Sequence, residues 1–181
     1  MGYRKLLRLL DKAVGLCKLV ASTMNNELLI ELIDESIALE LNVASIYKFF
    51  SESITHDSDF WWQLHLEEKS HATLLRSGKE SFIKRGRFPR DIVADSIRDL
   101  KEANENAAAM LGQFDGARPG RREACKAAIE LEQQAGESHF MKFMEKDAES
   151  ALESVFQQLN RSDKGHERRI KEHLASLPAD A

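Results

Sequence analysis

Residues 57–86 read DSDFWWQLHLEEKSHATLLRSGKESFIKRG. Asp57 or Ser58 offers an N-cap, apolar residues recur at helical rather than alternating spacing, and Gly86 ends the run. The stretch therefore predicts one helix over about 58–85. Within it Glu68 and His71 stand three apart, on one face and about one turn from each other. Working outward, the same periodicity predicts a helix over about 27–54 behind Asn25 and Asn26. It predicts others over about 91–111, 121–146 and 150–175, the last opened by Ser150 and Glu153 as a capping box. Proline and glycine cluster only at 86–89 and 112–120. Four helices of roughly 26–28 residues, about 40 Å each, joined in pairs by short loops, must lie antiparallel. The fold expected is an all-α four-helix bundle of two hairpins, 27–85 and 121–175, with a long helical crossover over 86–120.

The composition agrees with one such domain over 1–181. The chain carries 26 Lys+Arg and 30 Asp+Glu, a net charge of −4, and 43% apolar residues, which is not a disordered composition. Mild acidity argues against nucleic acid as a partner. Cys17 and Cys125 form no CxxC pair and no disulfide framework, as expected of a cytoplasmic chain. Phosphate-binding glycine loops, a GxSxG elbow and HExxH are all absent. No run of 18 uncharged apolar residues exists. Residues 1–21 form an extra amphipathic N-terminal helix, apolar at Leu6, Leu10, Ala13, Leu16, Cys17 and Val20. Its five basic residues and one acid give it +4 and leave −8 for the rest. Such an arm suits docking on an acidic face of the bundle or of a partner, with a membrane surface as the alternative.

The two hairpins repeat each other. Ile37, Leu39 and Glu40 match Ile129, Leu131 and Glu132 at an offset of 92, and Ala44 is matched by Gly136. At an offset of 95, Gln63-Leu64 matches Gln158-Leu159, and Glu68-Lys69-Ser70-His71 matches Asp163-Lys164-Gly165-His166. With 30 acids and 6 histidines, chance alone sets an acid three residues before about one histidine. The weight rests on the added Glu40 and Glu132, at matched places in matched helices. One carboxylate from each of two helices and an acid-x-x-His from each of the others is a set for two iron or manganese ions. Four carboxylates carry −4 and two divalent ions +4, so such a buried site is neutral.

These residues resemble the ferritin-like superfamily, and within it the rubrerythrin-like di-iron proteins. The resemblance spans about 27–85 and 121–175 and rests on Glu40 followed by Tyr47, on Phe60-Trp61-Trp62 leading into Glu67-Glu68-Lys69-Ser70-His71, on Glu132, and on Asp163 with His166. It implies Glu40, Glu68, His71, Glu132, Asp163 and His166 as ligands of two Fe ions, or Mn, with Glu68 and Glu132 as bridging candidates. It also implies an oxidoreductase acting on peroxide or dioxygen, a homodimer, and a separate electron donor such as a rubredoxin. Ferrous iron oxidation and sequestration is the alternative, and a metal-free structural bundle the other. Asp163 stands where the family has Glu, Ala135 where its peroxidases carry a further carboxylate, and the four cysteines of a rubredoxin-like domain are missing. Tyr47 and His139, seven residues after Glu40 and Glu132, are candidates for hydrogen bonds to ligands or for plain core residues. His56 and His173 suit surface roles, His65 lies off the face of His71, and Trp61 and Trp62 suit packing.

Overall fold

The computed structural model describes residues 3–83, 86, 88–114, 118–133, 142–159 and 165–178, with side chains from 26 onward except 82, 91, 152, 155, 158 and 159. Among the described residues every regular element is helical: α1 Tyr3–Ser53, α2 Ser58–Phe82, α3 Ile97–Gln113, α4 Arg121–Glu132, α5 Ala151–Leu159 and α6 His166–Ser176.

The first correction concerns α1. A break was expected at Asn25 and Asn26, but the helix runs through them for 51 residues, about 76 Å. Asparagine is only a weak helix former and has to cap nothing where the backbone ladder continues. The expected N-terminal arm is thus the first half of α1. The docking of its side chains lies outside the described residues. The second half, from Leu29 on, is core.

α2 returns antiparallel along α1. Ser51 meets Ser58 at 3.1 Å, the His65 ring meets the Ala44 carbonyl at 2.7 Å, and Lys79 pairs with Asp34 at the far end. α2 ends at Phe82, three residues before the expected limit, and Gly86 (φ 62) turns the chain with its N–H on the Ile83 carbonyl. α3 starts at Ile97 rather than 91, because a 3-10 turn at Arg90–Ile92 and the extended Val93 precede it, with Val93 and Ala94 buried. Ser96 caps it by accepting from the Asp99 N–H. Leu100, Ala103 and Ala107 form its buried face. Asn104, bonded to Asn42 and Glu35, and Lys101, paired with Glu31, hold it on α1.

The C-terminal half departs further from expectation. The helix expected over 121–146 ends at Glu132, with Gln133 as its cap. Residues 134–141, including Ala135, Glu137 and His139, lie outside the described set. The helix expected over 150–175 is two helices. α5 opens as anticipated, with Ser150 accepting from the Glu153 N–H. α6 then starts afresh after Gly165, whose φ of 59 is not helical. α4 packs against α6, and Asp57 locks both to the α1–α2 hairpin. It takes two bonds from Arg121, at 2.6 and 2.8 Å, and lies 3.3 Å from the His173 Nε2. His173, assigned to the surface from sequence, instead stacks on Phe60 at 4.1 Å. Trp61 is fully buried among Tyr47, Phe50 and Phe60, whereas Trp62 is exposed, so only the first tryptophan packs the core. No helix among the described residues is long and apolar enough to cross a membrane.

Candidate metal centre

Two helix interiors and two helix ends converge at one buried place. Glu40 comes from the middle of α1, and Glu68 and His71 from the middle of α2. Glu132 is the last residue of α4 and His166 the first of α6. Glu68, His71, Glu132 and His166 are buried, and Glu40 nearly so. They form two overlapping groups, Glu40–Glu68–His71 and Glu68–Glu132–His166, whose donor atoms lie within 4.8 Å of one another in each group.

Glu68 is shared. Its Oε2 stands 3.2 Å from the His71 Nδ1 and its Oε1 2.7 Å from the His166 Nδ1. Glu40 Oε2 completes the first group at 3.4 Å from the His71 Nδ1, and Glu132 Oε1 the second at 3.6 Å from the His166 Nδ1. The two imidazoles lie nearly parallel, 5.4 Å between centroids. Glu132 is also the acceptor of the Tyr47 hydroxyl across 85 positions of sequence.

The donor set passes a test of fit to metal. Ligands about 2.1 Å from an ion stand about 3.0 Å apart in cis positions, close to the separations found. Both nitrogens of His166 are buried and neither makes a well-directed hydrogen bond. Orphaned buried nitrogens are costly unless something else binds them, and oxygen and imidazole donors suit iron, manganese or zinc.

Electrostatics point the same way. Burial pushes the Glu40 carboxyl well up, and the nearby Glu68 charge adds to this against the pull of His71. Burial also opposes charge on Glu68, but the His166 cation, with the bond to His71, outweighs it and holds Glu68 well down. Burial disfavours the His166 cation too, yet Glu68 leads the carboxylates that raise it well above its ordinary value. Both upward shifts favour protons on Glu40 and His166 beside the Glu68 charge.

Of the residues singled out from sequence, Glu40, Glu68, His71, Glu132 and His166 are brought together, and Tyr47 bonds to one of them. Asp163 and His139 lie outside the described residues. On the described side of the acid-x-x-His motif, Gly165 has a φ of 59 and His166 opens α6. One neighbour escaped sequence reading. Glu67 Oε2 lies 3.0 Å from the His166 Nε2, accepts from Arg169 and through Oε1 from Gln63 at 2.8 Å. Burial opposes its charge, but His166, Arg169 and Gln63 bring its pKa down to about 2. Cys125 is buried, and burial first of all pushes its thiol up to about 11, which makes it a poor nucleophile at neutral pH. Comparison of the chain with protein-family models, curated proteins and solved structures finds no match.

Proposed function

We propose that the protein holds two divalent ions, iron or manganese, in a ferritin-like, rubrerythrin-like arrangement, and acts as an oxidoreductase on peroxide or dioxygen. One observation carries the proposal: two ligand groups share the single carboxylate Glu68. In this arrangement α1 with α2 and α4 with α6 are the two hairpins and 86–120 the crossover.

Glu40 and His71 would hold one ion and Glu132 and His166 the other, with Glu68 common to both sets. A pair of ferrous ions, when bound, would supply the two electrons that cleavage of a peroxide O–O bond requires. Tyr47 fixes the Glu132 carboxylate by its hydroxyl and offers a proton beside the site. The buried walls keep bulk water away, which strengthens every charge interaction inside. Return of the two electrons calls for a small external donor, such as a rubredoxin or flavoprotein, docked on a bundle that pairs as a homodimer.

Metal content after expression in iron- and manganese-replete medium tests the assignment. About two Fe or Mn per chain are expected, and folded protein that takes up neither metal overturns it. Peroxide should oxidise the ferrous protein once, stoichiometrically, and turn it over repeatedly only with a donor, as followed by stopped flow. A ferrous centre that peroxide leaves unchanged removes the oxidoreductase function while keeping the metal site.

A further inference from the structure

His71 and His166 face the same carboxylate but are held differently. His71 sits within α2, with helical backbone on both sides. His166 is the first residue of α6 and follows a left-handed glycine, so no preceding turn restrains it. The structure does supply a substitute. Glu67 lies one residue, and so about 100° of helix rotation, from Glu68, which turns it toward α6. Its Oε2 stands 3.0 Å from the His166 Nε2. Arg169, one turn after His166, donates to the same carboxylate, and Gln63, one turn before Glu67, donates to Oε1 at 2.8 Å. The carboxylate is thus gripped from both helices independently of His166, and it is buried.

We propose that Glu67, held by Arg169 and Gln63, is the positioning residue for His166: it takes the Nε2 side of the ring and leaves Nδ1 as the donor to metal. The inference rests on the two-metal reading above. With Nε2 beside Glu67, Nδ1 stands 2.7 Å from Glu68 Oε1 and 3.6 Å from Glu132 Oε1, on the side of the shared carboxylate. A carboxylate behind a ligand histidine fixes its tautomer and raises its basicity, and loss of such a partner costs 10–100-fold in metal affinity. The penalty falls on one ion, because the Glu67 carboxylate meets a ring nitrogen of His166, whereas the His71 Nδ1 faces Glu40 and Glu68.

Titration of full-length metal-free protein with Co2+, followed by its visible absorption, tests this. The wild type should bind two ions. Glu67→Ala should weaken one of them about 10–100-fold and leave the other within about twofold. Glu67→Gln, which keeps an acceptor oxygen and the shape, should recover much of that loss and guards against a fold too damaged to read. In the Zn2+-loaded wild type, nitrogen NMR of His166 should show Nε2 protonated and Nδ1 bound. Two equally tight ions in Glu67→Ala, equal weakening of both, or metal on Nε2 overturns the proposal. A wild type that binds no Co2+ or Zn2+ overturns the metal assignment itself.

Discussion

The two halves of the site reach the same chemistry by different constructions. In the N-terminal half, Glu40, Glu68 and His71 project from the interiors of α1 and α2, so the backbone ladder sets their direction and the apolar stripe of Leu32, Ile33, Ile46 and Leu64 sets their depth. In the C-terminal half, Glu132 closes α4 and His166 opens α6. Helix ends lack half of their backbone bonds, and side chains from the other half steady both residues: Tyr47 on Glu132 and Glu67 on His166. A repeat in sequence can therefore keep its acids and histidines together while changing what holds them.

The largest effect should come from the residue common to both halves. Glu68→Ala should lower bound metal from about two ions per chain to near zero, measured by plasma mass spectrometry, with helicity by circular dichroism nearly unchanged. Full loading of Glu68→Ala combined with His166→Ala would refute the site.

Next comes the clamp between the halves. Asp57→Asn removes the anion that accepts both bonds from the partly exposed Arg121 and should cost about 2–3 kcal/mol in chemical unfolding. Burial raises the Asp57 pKa, but the bonds from Arg121 and His173 outweigh it and lower it. The stability it adds is therefore complete above the unfolded value of about 3.9 and lost as pH falls through the lower folded value. Acid titrations of wild type should show this loss and those of Asp57→Asn should lack it. An identical acid profile would mean that the halves are joined elsewhere.

Tyr47→Phe strips a buried carboxylate of its donor, and the metal-free protein should lose about 2 kcal/mol. The loss should shrink when metal occupies the site, because an ion then satisfies Glu132. Equal losses in both forms would detach Tyr47 from the centre.

The smallest effect compares matched positions. Gly165→Ala must force a side chain into positive φ and should cost about 1 kcal/mol. The corresponding Ser70→Ala, within a helix and exposed, should change stability by less than about 0.5 kcal/mol. Similar costs at both positions would restore the unbroken helix that the repeat predicts.

Sequence alone determined the all-helical class, because 3.6-residue periodicity and grouped breakers are local signals that each segment carries in itself. It also determined five of the residues that meet at the centre, since a periodic helix places Glu40, Glu68 and His71 on inward faces and the repeat transfers that pattern to Glu132 and His166. Three things were decided only by tertiary structure. The continuity of α1 through Asn25 and Asn26 depends on small propensities that no single cap signal outweighs. The break at Gly165 was hidden because glycine tolerates both helical and left-handed backbone, and packing of α6 against α4 and α2 selects between them. The role of Glu67 needs the identity of the helix beside it. Its own sequence shows only a second acid next to Glu68, and α6 supplies the histidine and arginine that give that acid its place.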